Sequence, residues 1–331
     1  MIHRRLFLFA FSLSCVIIVG LSSCEKEITV DLPATEAVIV VEGSIFQGEA
    51  PIIMLTRSQG YFEPTSFEAL QDFFVHDAQV TIESGGVTYP LTEVCSADLD
   101  STQLAAAAAA LGVPVSTITG LNLCLYTSFE LVGMQNTEYR LRIEHESQVL
   151  TSYTKIPGAI PLDTVFFQIF NPDPADSLGF LTGVITDPDT SGNAYRWFAR
   201  RISHFPAWVA NPDKRGRVKD FGFIAPLGSV NDDRFFNGLQ FEFSFYRGSE
   251  ANSTSFDDLN NERGFFKRGD TVVVRSCVID RNSYKYLYSF ESQVSNQGSP
   301  FAVPFNLQTN IQGGYGGFVG YATTYDTVYC E

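Results

Sequence analysis

The chain has 331 residues, of which 45% are hydrophobic and 18% are charged, and its formal net charge is -15. A chain with this much apolar material can bury a core, which excludes a disordered tail. The acidic balance argues against nucleic acid and against simple electrostatic docking on anionic lipid, because both need clustered Lys and Arg. The aromatic content of 14%, with 26 Gly and 15 Pro, favours strands and turns over helical bundles.

The first segment has the features of a secretory signal peptide. Arg4 and Arg5 precede an apolar stretch that is too short for a good transmembrane helix. The tetrad Leu-Ser-Ser-Cys that ends at Cys24 resembles a bacterial lipobox, in which the Cys is lipidated and the peptide is cut before it. The alternative is an ordinary signal peptide with a chance Cys. We expect residues 1–23 to be a lipoprotein signal peptide and residues 24–35 a lipidated tether.

The residues directly after the lipidated Cys carry a short charged motif. Glu25, Lys26 and Glu27 resemble the export signal that sends Bacteroidota lipoproteins to the outer face of the outer membrane. A solvated tether of the same composition is the alternative. Several acyl chains hold a protein firmly, at about 0.8 kcal/mol per buried CH₂. We therefore expect a lipid-anchored outer-membrane protein that faces the cell surface.

Four cysteines lie beyond Cys24, namely Cys95, Cys124, Cys277 and Cys330. An even number in an exported chain indicates disulfides, and four cysteines allow three connectivities. We favour Cys95–Cys124 and Cys277–Cys330, because each pair then lies within one predicted domain. No pair has Cys-x-x-Cys spacing, which argues against a zinc or thioredoxin-like motif.

Short alternating segments after the tether predict an N-terminal β-sandwich. Strands are predicted over residues 37–43, 51–56, 78–83, 87–91, 137–144 and 149–155. A turn at residues 47–49 joins the first two strands into a hairpin. This pattern is typical of an immunoglobulin-like sandwich, which we place at residues 36–157.

Residues 95–124 are predicted to form a small helical insert in this sandwich. A run of six Ala follows Asp and Ser residues and precedes Gly112. These features predict a helix over residues 98–111, with N-cap candidates at its start and a glycine stop. Membrane contact is the alternative, but Ala is too weakly hydrophobic. A surface helix closed by a disulfide is therefore favoured.

The segment from Ile156 to Pro161 is the predicted domain boundary, and a second β-rich domain is predicted at residues 158–331. Its predicted strands cover residues 162–170, 179–186, 194–203, 238–247, 271–280 and 321–330. Residues 282–297 predict one amphipathic helix, whose apolar face carries Tyr284, Leu287, Tyr288 and Val294. The glycine-rich residues 311–320 lack the strand-then-helix context of a phosphate-binding loop, and they predict a turn-rich loop instead.

Eight short motifs follow one another along nearly the whole mature chain. They are Val40-Val-Glu-Gly43, Leu55-Thr-Arg-Ser58 with Tyr61-Phe62, Tyr139-Arg-Leu-Arg142, Lys155-Ile-Pro157, Asp187-Pro188 with Tyr195-Arg196, Asp233-Arg-Phe-Phe-Asn-Gly238, Gly269-Asp-Thr-Val272 and Asn310-Ile-Gln-Gly-Gly314. Their order and spacing resemble the Bacteroidota outer-membrane lipoprotein family known as domain of unknown function 4249. The resemblance implies an accessory lipoprotein that accompanies a TonB-dependent outer-membrane transporter, and it implies no established reaction.

The sequence offers little catalytic chemistry. The three histidines after the signal peptide are scattered, and there is no Gly-x-Ser-x-Gly elbow and no P-loop. Asp187, Asp189 and Asn193 are weak candidates for calcium ligands, although their segment is also an ordinary turn composition. We predict no catalytic residue and no cofactor.

We therefore expect a non-enzymatic outer-membrane lipoprotein that acts as an accessory or ligand-binding subunit of a TonB-dependent transport system. Its partner would be the transporter or its cargo. The first alternative is an independent surface module that binds a glycan or a peptide. The second is a hydrolase, which would need acids or histidines that meet in one pocket.

Overall fold

A computed structural model describes residues 37–59, 73–169, 177–209, 212–248, 262, 264–296 and 306–331. The lipidation and export residues Cys24, Glu25, Lys26 and Glu27 lie outside the described residues. The predictions of a signal peptide, a lipid anchor and an export signal therefore stay predictions.

The described chain is mostly β, as predicted. Its strands, in chain order, are β1 (Ile39–Phe46), β2 (Ile52–Arg57), β3 (Gln79–Ser84), β4 (Val87–Cys95), β5 (Cys124–Thr127), β6 (Thr137–His145), β7 (Gln148–Ile156), β8 (Thr164–Ile169), β9 (Leu178–Thr186), β10 (Ala194–Arg201), β11 (Val230–Asp232), β12 (Gln240–Phe245), β13 (Phe266–Lys267), β14 (Thr271–Ile279), β15 (Ile311–Gln312) and β16 (Tyr315–Tyr329). The helices are α1 (Ser101–Leu111), α2 (Val115–Leu121) and α3 (Arg281–Ser295). Short 3₁₀ helices cover Ser96–Asp98, Pro212–Lys214 and Asp233–Phe235.

The described strands form one large curled sheet and one small sheet. The large sheet has 12 strands in the order β11-β10-β14-β16-β1-β2-β5-β4-β3-β6-β7-β15. In the small sheet β9 pairs with β8, β12 and β13. Alternate residues of both sheets bury a shared core, in which Ile39 and Leu141 of the large sheet lie with Leu181 of the small one. The sandwich-like class follows from this arrangement.

The predicted division into residues 36–157 and 158–331 needs correction. The chain from Ala37 to Glu331 forms a single compact unit. Its first strand pairs in parallel with its last, with Val41 opposite Gly316, while β14 pairs antiparallel with β16. The boundary fails because hydrogen bonding between strands from opposite ends of the chain joins the two halves.

The glycine-rich segment is strand rather than the expected turn-rich loop. Residues 315–320 belong to β16 and pair with β1. Gly317 allows close packing, since a Cβ atom there would lie 2.2 Å from the Tyr286 ring. The glycines thus permit close approach of neighbouring elements.

The insert contains the predicted helix, which ends at Leu111 as predicted but begins at Ser101 rather than at residue 98. Asp100 caps α1, because its side chain accepts hydrogen bonds from the backbone amides of Thr102 and Gln103. The Gln103 side chain accepts in turn from the Asp100 backbone amide, which completes a capping box. Gly112 ends the helix in the left-handed conformation, with φ of 71°. The second helix, α2, was not predicted. The end of α1 approaches Gly222 closely, since a Cβ atom on Gly222 would lie 2.1 Å from the Gly112 Cα.

The disulfide predictions have opposite outcomes. Cys95 and Cys124 are bonded, with their Cα atoms 4.1 Å apart. Cys277 and Cys330 are both buried free thiols, so their predicted bond is wrong. Cys277 lies opposite Thr323 in the β14–β16 pair, whereas Cys330 follows the opposite end of that pair. At about 3.3 Å per residue the two cysteines lie roughly 20 Å apart along the strands.

The amphipathic helix is present as α3, which begins one residue earlier and ends two residues earlier than predicted. Its Tyr284 and Leu287 are buried against Phe198 of β10 and Tyr321 of β16. The prediction for Tyr288 is wrong, because that side chain is 46% exposed. The buried face of α3 includes the polar Glu291 together with Tyr284 and Leu287.

No single helix among the described residues is long and apolar enough to cross a membrane. The insert helices α1 and α2 meet the length and composition criteria only as a pair, which is bent by 103°.

Candidate ligand-binding groove

A groove of about 640 Å³ lies on the solvent face of the sheet strands β4, β3, β6, β7 and β15. Its second wall consists of the first turns of α3 and the segment 308–310 that leads into β15. Hydroxyl, amide and charged side chains dominate the lining. The groove therefore offers many hydrogen-bonding groups to a ligand.

Strand register arranges the floor as two rows that cross the strands. The first row consists of Thr88, Glu83, Arg140 and Tyr153. The second row consists of Thr81, Arg142, Thr151 and Gln312. Directly opposed side chains on neighbouring strands lie about 4.5–5.5 Å apart at Cβ. A ligand that lies across the strands would therefore meet a polar group at each strand.

The charges of the floor largely cancel. An Arg140 nitrogen lies 3.6 Å from a Glu83 oxygen, and Arg142 Nε donates to Glu144 at 2.6 Å. Both arginines are more than half exposed, so these pairs orient the side chains more than they stabilise the fold. Lys285 on α3 is exposed, and within the described residues it has no carboxylate at ion-pair distance. Each floor arginine is thus paired with a glutamate, and Lys285 adds a positive charge at the wall.

The segment before β15 is held rigidly by hydrogen bonds. Asn310 Nδ2 donates to the Phe318 carbonyl at 2.8 Å, and the Phe318 amide donates back to Asn310 Oδ1 at 2.9 Å. Thr309 Oγ1 donates to the Gly316 carbonyl at 2.8 Å. Ser152 Oγ on β7 donates to the Asn310 carbonyl at 2.8 Å. This wall is therefore fixed before any ligand binds.

The helix wall is fixed by the carboxylate that caps α3. Asp280 Oδ1 accepts from the amides of Asn282 and Ser283 at 2.8 and 3.1 Å. Its Oδ2 accepts from Thr154 Oγ1 on β7 at 2.6 Å. Thr154 in turn accepts from the Gly320 amide at 2.8 Å. One side chain thus joins the helix start to β7 and, through Thr154, to β16.

Two tyrosines add ring surfaces to the groove. Burial raises the pKa of the Tyr286 phenol, whose ring packs on Gly317. Burial, and then a hydrogen bond with Glu138, raise the pKa of Tyr153. Both phenols therefore stay neutral at physiological pH.

The described lining of the groove contains few of the side chains that hydrolytic sites most often use. Among the described residues that line it there is no His and no Cys, and Glu83 is the one carboxylate. The described lining therefore contains neither a pair of carboxylates nor a nucleophile with a histidine base.

The weak calcium candidates form a hydrogen-bonded turn. Asp187 is buried and accepts from the Tyr195 hydroxyl and, at 3.1 Å, from the Gly238 amide. Asn193 Nδ2 donates to the Thr190 carbonyl at 2.7 Å, and Asp189 is exposed. The Asp187 carboxylate is thus engaged in holding the turn before β10.

Our sequence predictions did not identify the groove. The alternation of residues 137–144 was the available signal, because it places Glu138, Arg140, Arg142 and Glu144 on one face of β6. The pattern does not show which strands lie beside that face. The register therefore had to come from the fold.

The chain belongs to the family described as domain of unknown function DUF4249, whose model matches residues 25–327. No curated protein matches the sequence at a significant level. Among solved structures, the chain is similar to a cycloalternan-degrading enzyme from Trueperella pyogenes in complex with cycloalternan, at 10% identity and a TM-score of 0.20. The match covers 86% of this chain and 34% of that one. The chain thus spans about a third of that enzyme. A TM-score of 0.20 is too low to show a shared fold.

Proposed function

We propose that this member of the DUF4249 family is a non-enzymatic, lipid-anchored ligand-binding protein of the outer membrane. In this proposal it serves as an accessory or ligand-binding subunit of a TonB-dependent transport system. The lipobox-like tetrad at Cys24 and the following Glu25, Lys26 and Glu27 support the anchor and the cell-surface location. The transporter partnership is supported by the resemblance of the sequence to accessory lipoproteins.

The single observation that carries a binding role is the polar floor of the groove. Its two rows present hydroxyl, amide and guanidinium groups at each successive strand. The wall behind them is fixed by the bonds of Asn310 and Asp280. A prearranged site loses less conformational entropy when a ligand binds.

The near cancellation of charge favours an uncharged ligand with many hydroxyl groups. Planar groups such as those of Arg142 and Gln312 can bridge adjacent hydroxyls, while the Tyr153 ring offers an apolar face. These are properties of an oligosaccharide site. An extended peptide, whose amides also pair with such groups, is the competing ligand class for the test.

Binding can be tested with a soluble fragment of residues 25–331. We expect it to bind members of an oligosaccharide panel, and Arg142→Met to weaken binding at least tenfold by isothermal titration calorimetry. Arg57→Met is the matched control, because Arg57 forms a surface ion pair with Glu146 at 3.8 Å and does not line the groove. Equal losses from both substitutions, or binding of peptides alone, would contradict a glycan groove.

The partnership needs a separate experiment. The full-length protein, isolated from gently solubilised outer membranes, should bring a TonB-dependent transporter with it. Ligand binding by a protein that is always isolated alone would favour the alternative, an independent glycan- or peptide-binding surface module.

A further inference from the structure

Four side chains with metal-binding groups meet where the insert leaves the sheet. They are His76, Glu93, Cys95 and Cys124, and their ligand-type atoms all lie within 4.8 Å of one another. In the structure the two sulfur atoms are bonded to each other. The cluster is separate from the groove, whose lining contains none of these residues.

The fold brings the four residues together through strand register. Glu93 and Cys95 are two residues apart on β4, and therefore on the same face of the strand. Cys124 at the start of β5 is the register partner of Cys95. His76 precedes β3, and its Nδ1 lies 2.5 Å from Glu93 Oε1.

Glu93 is already held by a second layer of hydrogen bonds. Its Oε2 accepts from the Asp77 amide at 3.0 Å and from the Tyr126 hydroxyl at 3.2 Å. Tyr126 is 2% exposed, and its hydroxyl also lies 2.8 Å from the Val75 carbonyl. Carboxylate ligands of metal sites are commonly oriented in this way. Oε1 faces the cluster while Oε2 is fixed.

We propose that reduction of the Cys95–Cys124 disulfide converts this cluster into a zinc site. Two thiolates, an imidazole and a carboxylate are a ligand set that Zn²⁺ accepts in tetrahedral geometry. With bonds of about 2.0–2.3 Å, the ligand atoms of such a site are roughly 3.3–3.8 Å apart. Since the present atoms lie within 4.8 Å of one another, the site needs displacements of about 1 Å once the sulfurs separate.

An external dithiol can reduce the Cys95–Cys124 disulfide. The dithiol gives two electrons and two protons to the disulfide and becomes a disulfide itself, which leaves two thiols at Cys95 and Cys124. Zinc then binds both sulfurs as thiolates and releases the two protons. Cys95 is half-buried, which gives the dithiol a sulfur to attack, whereas Cys124 is buried.

The metal would take over the structural role of the disulfide. Residues 96–123 leave and rejoin the sheet at these two cysteines. A zinc ion held by both thiolates keeps the ends of the insert together after the covalent bond is lost. The insert would then be closed in both redox states, by sulfur–sulfur bonding in one and by metal in the other.

The test uses the 25–331 fragment, a phosphine reductant and Co²⁺ as a spectroscopic probe for the zinc site. The reduced protein should bind one Co²⁺ with thiolate charge-transfer and tetrahedral d–d bands, and Zn²⁺ should displace it. The oxidised protein should show no such bands. His76→Ala should weaken Co²⁺ binding at least tenfold, whereas His145→Ala, outside the cluster, should leave it unchanged.

Several results would overturn the proposal. Absence of the bands after complete reduction is one, and an unchanged affinity in both His76→Ala and Glu93→Gln is another. Bands that disappear in Cys277→Ser/Cys330→Ser, but persist in Cys95→Ser/Cys124→Ser, would assign the metal to the other thiols. If circular dichroism shows that reduction unfolds the protein, Zn²⁺ must restore the fold in the wild type, and failure to do so also refutes the site.

Discussion

Gly316 provides a sharp test of the pairing between the two ends of the chain. It lies on β16 directly opposite Val41 of β1, and its φ is 99°. A Cβ atom at this position would lie 2.0 Å from the Val41 carbonyl oxygen. That oxygen belongs to the backbone of a central strand, so a side-chain rotation cannot relieve the contact.

A matched control exists at Gly192. Its φ is 103°, close to that of Gly316, but a Cβ atom there would meet nothing within 4 Å. Gly192→Ala should therefore cost only the left-handed backbone conformation, about 1–2 kcal/mol. Gly316→Ala adds overpacking against backbone, which costs about 1–3 kcal/mol in packed cores. We expect a total of roughly 2–5 kcal/mol for Gly316→Ala.

Urea unfolding measures the difference between the two variants. With a slope of about 3 kcal/mol per molar, Gly316→Ala should lower the midpoint by roughly 0.7–1.7 M and Gly192→Ala by roughly 0.3–0.7 M. The slope should not change in either variant. Equal midpoint shifts, or a smaller shift for Gly316→Ala, would refute close packing of β16 on β1.

Three further predictions concern buried groups. Burial raises the pKa of the Cys277 thiol and of the Cys330 thiol to about 12. A thiol reagent should therefore react with neither thiol in the native 25–331 fragment and with both after unfolding without reductant. If no thiol reacts after unfolding, the two cysteines form a disulfide after all. Arg201 is 2% exposed and donates to both oxygens of Asp220 at 2.7 and 3.0 Å. Arg201→Met should therefore lower the free energy of unfolding by about 3–5 kcal/mol, as measured in urea. A loss below 1 kcal/mol would show that the buried Arg201–Asp220 pair is not essential to the fold. Burial raises the pKa of Glu291 above 4.5, so the native state binds this proton more tightly than the unfolded chain does. The resulting stability is present below pH 4.5 and is lost as pH rises through the native pKa. Glu291→Gln should flatten that part of the curve of stability against pH, and an unchanged curve would contradict the raised pKa.

Local sequence signals predicted the elements of this fold well. The alternation of residues 137–144 and the capping residues Asp100 and Gly112 act within a few positions of the chain, so their effect is visible in the sequence. The class, the insert helix and the Cys95–Cys124 bond followed from such signals. In each case the interacting groups are near in sequence, or they close a single inserted segment.

The predictions that failed depended on partners far apart in sequence. The domain boundary was predicted from Pro and Gly near Ile156, but β16 returns to pair with β1. The Cys277–Cys330 pairing assumed that a shared region implies proximity, whereas the two residues lie at different positions along one strand pair. Strand register, which decides both questions, leaves no local trace in a single sequence.

The groove depends on the same long-range pairing as the fold. Arg142 and Thr151 come from the N-terminal half, whereas Gln312 and the helix wall at Lys285 come from the C-terminal half. Asp280 ties these parts together by capping α3 and accepting from Thr154 of β7. A site divided in this way exists only when both halves have folded onto each other, so neither half of the chain can present the complete set of polar rows. Ligand affinity therefore depends on the pairing of the chain ends.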